Sequence, residues 1–234
     1  MFKKICILLV FVASVNCQTW ASRACLENKN DYFVKIIQET INKIENDIKW
    51  CNFKLLDINK EINERLFKWH ALGTANYTNG FLINLTKIDI SNIDARFQTT
   101  TVNGTMEHRL TVSGKLNFRN LNLGYDVTAY MEDSEIHHFT GTFPYTTVAI
   151  QCSIVKNLMT NETSVSMRTD SSTAASRRMV YMPENSISEV LSRHIFNYDI
   201  SPSFDRWGPD IMAPIVAEIA SRAEIPKIRF DNKC

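Results

Sequence analysis

This sequence has few glycines, a net charge close to zero and no long hydrophobic run. Each of these features argues against a class of function. The 234 residues include only seven glycines, and they form neither a P-loop nor the glycine pattern of a Rossmann fold. The formal net charge is +1, and no run of Lys or Arg is long enough for a nucleic-acid-binding tail. No stretch approaches the roughly 20 apolar residues of a membrane-spanning helix.

Catalytic and metal-binding motifs are equally scarce. The sequence has no G-x-S-x-G elbow, no H-E-x-x-H and no C-x-x-C pair, so we expect no enzymatic activity, no cofactor and no metal. A hydrolase on an unfamiliar fold would need a Ser or Cys beside a His, and the first residues to inspect are Ser192, His194 and His108.

One cluster could bind a metal ion in principle. His137 and His138 follow the acidic residues Glu132, Asp133 and Glu135. Adjacent histidines in a polar segment are usually solvated, and we predict a loop there rather than a metal site.

The N-terminus predicts secretion. Lys3 and Lys4 precede an apolar run over residues 5–15, which is the pattern of a signal peptide. We expect residues 1–17 to be cleaved after Cys17, with Ser22 as the next choice. Residues 23–234 would then form a single extracellular domain.

A secreted chain can be glycosylated and disulfide-bonded. Four N-x-[ST] sequons predict glycosylation at Asn76, Asn84, Asn103 and Asn161. The cysteines that remain predict two disulfides among Cys25, Cys51, Cys152 and Cys234. The pairing Cys25–Cys51 is the least expected, because a helix of about 28 Å would separate the two residues. Cys25 and Cys51 should therefore pair with Cys152 and Cys234, in an order that stays open.

A very long β segment over residues 110–131 organises the rest. Apolar residues occupy even positions up to Phe118 and odd positions from Leu121. Strand side chains alternate between faces, so a bulge near Arg119–Asn120 would keep one face apolar throughout. The alternative is two ordinary strands joined by a turn there.

Amphipathic helices flank the strands. The spacing of Phe33, Ile37, Ile41 and Ile44 predicts a helix over residues 31–49. A weaker pattern predicts a second helix over residues 55–69. A last helix includes Ile211, Ile215 and Ile219, and Pro214 should kink it. Residues 131–141 read as a loop, and Val102-Asn103-Gly104 as a hairpin turn. The order of elements predicts an α+β fold, in which a long, strongly curved antiparallel sheet wraps around the N- and C-terminal helices.

Five short segments carry a family resemblance. They are residues 80–88 (GFLINLTKI), 121–130 (LNLGYDVTAY), 141–145 (GTFPY), Arg206-Trp207 seven residues before Pro214, and 225–230 (IPKIRF). They resemble the arthropod juvenile-hormone-binding and takeout-like proteins and the group-seven mite allergens, which belong to the tubular lipid-binding superfamily. The two closely spaced N-terminal cysteines of the hormone carriers are missing, so the chain is more similar to the mite allergens.

The resemblance implies an apolar tunnel between helices and sheet that carries a small lipid or terpenoid-like ligand. The lining residues it implies are Phe33, Ile37, Ile41, Ile44, Val112, Leu116, Phe118, Tyr125, Val127, Ile150, Ile211, Ile215 and Ile219. Transient contact with lipid surfaces is also expected. The alternative is a host-defence or salivary interaction protein with a solid core, which binds a microbial lipid or another protein at its surface.

Overall fold

The structure, a computed structural model, describes residues 24–48, 54–66, 69–84, 87–102, 105–132 and 135–230. The predicted signal peptide lies outside them. The described chain has a seven-stranded antiparallel sheet, a separate two-stranded pairing, and helices before and after the large sheet. It is therefore an α+β fold, as expected from the sequence. Within these ranges, no helix has both the length and the apolar character needed to cross a membrane.

The strands differ greatly in length. They are β1 (Ala24–Leu26), β2 (Ile58–Leu66), β3 (Trp69–Asn84), β4 (Lys87–Val102), β5 (Thr105–Met131), β6 (Ile136–Asn157), β7 (Thr163–Ala174), β8 (Val180–Met182) and β9 (Ile228–Phe230). The helices are α1 (Lys29–Lys43), α2 (Ser186–Leu191), α3 (Asn197–Ile200), α4 (Phe204–Arg206) and α5 (Ala213–Arg222). A π-helical turn extends α1 to Ile48, and another, Trp207–Met212, leads into α5.

Strand β5 is the axis of the sheet. It has 27 residues, and β6 pairs with it from Arg109 to Tyr130. On its other side β4 pairs with the first part, from Arg119 back to Thr105, and β3 with the second part, from Asn122 onward. The predicted long strand is confirmed, and the alternative of two strands joined by a turn is wrong. The strong curvature of the sheet stays a prediction.

The buried positions of β5 change from even to odd where the sequence predicted, but a bulge between β5 and β6 is not the cause. The buried side chains of β5 are even-numbered up to Phe118 and odd-numbered from Leu121; Gly124, which has no side chain, is buried as well. Strand β6 changes phase at the same level, because Tyr145 and Val148 are both buried, and they pair with Leu121 and Phe118. The register of the two strands is the same on both sides, so the predicted bulge is wrong for this pair. Both strands instead change their buried face together at this level, which we call the kink, and Asn120 takes the left-handed conformation there with φ 53°.

Helix α1 lies on the apolar face of the sheet. Phe33, which is fully buried, packs its ring over Gly114 of β5, where an added Cβ would come within 2.5 Å of the ring. Helix α5 contacts β6, β7 and α1. The two helices that the sequence predicted at the ends of the domain therefore cover one continuous core.

The predicted helix over residues 55–69 is wrong. Residues 58–66 form β2, which pairs with β3 from Ile58↔Tyr77 to Leu66↔Trp69. Ile58, Ile62 and Leu66 are four residues apart, a spacing that fits one face of a strand as well as one face of a helix. The intervening residues Asn59, Glu61 and Asn63 are exposed, which is the alternation of a strand.

One further expectation is corrected. Most of residues 131–141, predicted as a loop, are strand, because β5 ends at Met131 and β6 begins at Ile136. Pro214 is the second residue of α5, directly after the π-helical turn Trp207–Met212, and a kink there stays a prediction. The hairpin at Val102 is confirmed, since Val102 pairs with Thr105.

Candidate functional site

The residues predicted to line a tunnel all lie in or against the same core. Tyr125 and five others, Phe33, Ile37, Ile44, Leu116 and Ile150, are 0% exposed. A side chain with no accessible surface touches no space that a water molecule could occupy. The core is therefore closed at these six residues, and their contact with a ligand stays a prediction. Val112, Phe118 and Val127 are 1% exposed and Ile215 is 7% exposed, while Ile41, Ile211 and Ile219 are half-buried at the margin.

An open cleft of about 530 Å³ lies where α1 meets the end of α5 and the segment after it. We call it the helix-seam cleft. Tyr32, Ile36 and Ile219 give it apolar walls, and the charged residues around it are Asp31, Lys35, Glu39, Arg222 and Glu224. Its volume falls within the range of small-molecule sites, about 300–1,000 Å³. Charges of both signs at its rim suit a neutral or zwitterionic polar group better than a multiply charged anion.

One ion pair joins the two helices of the seam. Lys43 of α1 donates to Glu218 of α5 at 2.8 Å. Arg222, one turn further along α5, contacts the same carboxylate. The Lys43 and Arg222 charges and hydrogen bonds hold the pKa of Glu218 below its usual range. The seam can separate only if this contact is broken or stretched.

Four tyrosines form a second group of side chains in the core, and only Tyr125 among them was predicted from the sequence. Tyr77, Tyr125, Tyr145 and Tyr181 are each at most 3% exposed. The hydroxyls of Tyr77 and Tyr181 are 2.8 Å apart, and the rings of Tyr77 and Tyr125 meet edge to face at 6.2 Å. Burial raises the pKa of all four phenols, so they stay neutral. Their positions on the buried face of each strand were the only clue in the sequence.

The sequence matches no protein-family model and no curated protein. Among solved structures, the fold is similar to one titled "Crystal structure of lipopolysaccharide binding protein", at 9% sequence identity and a TM-score of 0.34. The match covers 83% of this chain and 37% of that chain, so the chain spans little more than a third of that protein. A similarity this distant says nothing of the ligand. The predicted resemblance to takeout-like proteins and mite allergens stays a prediction.

The histidines considered for a metal are separated by the strand that contains them. His137 and His138 are neighbours on β6, so their side chains leave on opposite faces of the sheet. His137 contacts Glu135 at 3.3 Å, whereas His138 contacts Thr128 at 3.2 Å. The described residues contain no group of three candidate ligands that could hold a metal ion.

The residues considered for a hydrolase have other partners. His194 is 3.2 Å from Glu64, and the Ser192 hydroxyl donates to the carbonyl of Glu189 at 2.7 Å. His108 contacts Thr99 at 3.1 Å near the exposed end of the β4–β5 hairpin. Each of the three residues therefore has a partner of its own, and the absence of catalytic activity stays a prediction.

The predicted disulfides are corrected at one position. Cys152 is a free thiol, 0% exposed, and it lies opposite Gly114 in the middle of the sheet. Burial raises its pKa to about 12. Cys25 is disulfide-bonded, and its partner lies outside the described residues. The scheme in which Cys152 pairs with Cys25 or Cys51 is therefore wrong.

The four sequons lie in different surroundings. Asn161 is exposed in the turn between β6 and β7. Asn76 is half-buried within β3, and its side chain accepts a hydrogen bond from Asn59. Asn84 ends β3, and Asn103 lies outside the described residues. Glycosylation at all four stays a prediction. The side chain of Asn161 is more accessible than that of Asn76.

Proposed function

We propose that the protein is a secreted, non-catalytic binding protein for a lipid or another amphipathic molecule with an apolar chain. The helix-seam cleft is the observation that carries this proposal. It lies between the two helices that cover the apolar core, and it is large enough for part of such a molecule.

The closed core decides how a ligand would enter. Because Phe33, Ile37 and Leu116 are 0% exposed, a preformed tunnel does not account for binding here. An apolar chain would have to widen the seam and displace helix contacts with the sheet. Each Å² of apolar ligand surface removed from water contributes about 25 cal/mol, and this gain would offset the lost contacts between α1 and α5. The polar end would stay at the rim beside Lys35 and Arg222.

The test is uptake of a fluorescent fatty acid by protein secreted from eukaryotic cells, together with mass spectrometry of lipids extracted from it. Ile219→Glu places a charge in the cleft, and Ala223→Phe fills it; both residues are half-buried. We expect each variant to weaken probe binding about tenfold or more. The matched control is Ile83→Glu, since Ile83 is 46% exposed on β3 and should bind as the unmodified protein does. Absence of both probe uptake and extracted lipid would refute the proposal.

A specific observation also favours the second candidate, an interaction protein with a solid core. Phe196 and Tyr198 are 39% and 65% exposed, and their rings stack at 5.4 Å. Lys60 lies 5.7 Å from the Tyr198 ring centroid. The Lys60 ammonium is paired with Asp199, so the two exposed aromatic rings carry this candidate, since such rings are enriched at binding surfaces. If this candidate is correct, the protein should take up no fluorescent probe but should bind to vesicles of bacterial lipid. The double substitution of Phe196→Ser and Tyr198→Ser should abolish that vesicle binding.

A further inference from the structure

The hydroxyl of Tyr145 has no hydrogen-bond partner among the described residues. Tyr145 is 1% exposed, and it lies on β6 at the kink. Its ring is held between Phe143, at 5.3 Å, and Phe204, at 4.9 Å. Buried polar groups are almost always paired, and an unpaired one costs about 1–3 kcal/mol. The fold therefore keeps an unused hydrogen-bonding group in an aromatic interior.

Tyr125 lies near this group. Its hydroxyl donates to the carbonyl of Leu56 at 3.4 Å and also interacts with the Ser203 hydroxyl. The Ser203 hydroxyl, 1% exposed, accepts a hydrogen bond from the Leu56 N–H at 2.9 Å. After burial, the nearby Tyr125 and Asp199 raise the pKa of Tyr145 further. Burial this complete favours a neutral guest, because a charged group would lose its hydration on entering.

A short segment contacts the Tyr125 and Ser203 hydroxyls. Residues 54–57, which we call the strap, have no regular secondary structure. Besides the two Leu56 contacts, the Leu55 N–H donates to the carbonyl of Gly80 at 2.9 Å. A cleft of about 390 Å³ lies beside the strap, lined by Lys54, Leu55, Leu56, Asp57, Asn79, Gly80, Phe81 and Arg206. The Leu55 side chain is buried in the core at 4% exposure, so lifting the strap would break this packing as well as the hydrogen bonds. Lys54 and Asp57 are exposed, and the cleft lies on the outer side of the strap.

We infer that the unpaired Tyr145 hydroxyl forms a second binding site, for a small neutral molecule that carries a carbonyl, ester or alcohol oxygen. The guest enters from the cleft when the strap lifts. Tyr145 donates to its oxygen, and Phe143 and Phe204 pack against its apolar part. This goes beyond the proposed function, because the residues that line this cleft and the helix-seam cleft are different.

The first test compares two tyrosine-to-phenylalanine variants in the absence of any guest. Tyr145→Phe removes an unpaired hydroxyl, so the midpoint of urea unfolding should stay the same or rise. Tyr77→Phe is the matched control, because it leaves the Tyr181 hydroxyl without its partner at 2.8 Å, and it should lower the midpoint. A clear loss of stability in Tyr145→Phe would mean that the hydroxyl is already paired, and would overturn the inference.

The second test measures binding by ligand-observed NMR titration with three probes of similar size. Acetophenone offers a neutral carbonyl, ethylbenzene offers no polar atom, and benzoate offers an anion. We expect acetophenone to bind best, and Tyr145→Phe to weaken it roughly fivefold to tenfold, the effect of one neutral hydrogen bond. Ethylbenzene should bind both proteins equally. Equal acetophenone affinity in both proteins, tighter binding of benzoate, or no binding of acetophenone would each refute the site.

Discussion

At the scale of single residues, asparagine sets where the backbone bends. Within the described part of the chain, every non-glycine residue with positive φ is an asparagine: Asn28, Asn79, Asn92, Asn120 and Asn161. Asparagine tolerates the left-handed region better than other residues with a side chain. Asn79 and Asn92 lie at register shifts of β3 and β4, and Asn120 lies at the shared kink. Particular asparagine residues therefore mark where the long strands are irregular.

Substitutions at Asn120 test this role. Asn120→Val should lower the free energy of unfolding by roughly 1–2 kcal/mol, because a β-branched residue disfavours positive φ. Asn120→Gly should change it far less, since glycine adopts this conformation freely. Urea denaturation measures both. Thr146→Val, at an exposed position beside the kink on β6, is the control and should be almost neutral. An equal loss in the valine and glycine variants would show that the asparagine side chain matters for another reason.

Cys152 gives a second prediction at this scale. Its thiol is fully buried, and its pKa is raised to about 12, so the thiolate is scarce at pH 8. We expect iodoacetamide to leave Cys152 unmodified in the folded protein and to modify it completely in 8 M urea, a concentration of the order used to unfold domains. Peptide mass spectrometry separates Cys152 from the other cysteines. Rapid modification of the folded protein would mean that the sheet opens at this point.

At the scale of elements, the sequence was informative where a pattern fits one period only. The stripe of α1, with Phe33, Ile36 and Ile37, repeats at spacings of three and four and fits no strand. The spacing of four residues in β2 fits both a helix and a strand, and the pairing of this segment with β3 makes it a strand. Such pairing is a contact between distant residues, and a local pattern does not contain it.

The end of α5 depends on an unusual contact with the sheet. Lys156 of β6 is only 4% exposed, and its ammonium donates to the carbonyls of Ser221 at 3.3 Å and Ala223 at 3.4 Å. The last carbonyls of a helix lack partners within the helix and carry partial negative charge. A lysine from the neighbouring strand therefore caps α5 from inside the core.

Lys156→Met keeps the length of the side chain and removes the charge. We expect a loss of about 1.5–3 kcal/mol in the free energy of unfolding, the range for hydrogen bonds to charged groups. Amide hydrogen exchange should accelerate at the end of α5 more than in β5. Lys115→Met is the matched control, because Lys115 pairs with Asp170 at the surface, and such pairs contribute at most about 1 kcal/mol. Unchanged exchange in α5 would show that the cap does not hold the helix.

At the scale of the whole molecule, the sequence predicted the long central strand and the two helices that cover it. It could not predict whether the core is closed, because that depends on how closely the side chains of α1 and α5 fit those of β5 and β6. The alternation of apolar and polar residues along β5 is a local pattern, so the sequence alone was enough to predict the strand. The approach of Phe33 to Gly114, and the meeting of four tyrosines from four strands, arise only when distant segments pack.

The two long strands also predict how the molecule unfolds. Gly114 lies under α1 in the half of β5 that pairs with β4, and Gly73 pairs with Met131 at the far end of the strand. An added Cβ would come within 2.5 Å of the Phe33 ring at Gly114 and 2.2 Å from the Tyr130 carbonyl at Gly73. Gly114→Ala and Gly73→Ala should each cost about 1–3 kcal/mol through overpacking.

Because β5 and β6 pass through both halves, each variant should lower the midpoint of one shared transition. Tryptophan fluorescence and far-UV circular dichroism should give the same midpoint in each protein, as two-state unfolding requires. Separate midpoints, one shifted only by Gly114→Ala and the other only by Gly73→Ala, would mean that the kink at Asn120 divides the sheet into independent units. In that case the helix-seam cleft and the tyrosine site would respond to ligands separately, whereas a single transition lets a guest at either site stabilise the whole fold.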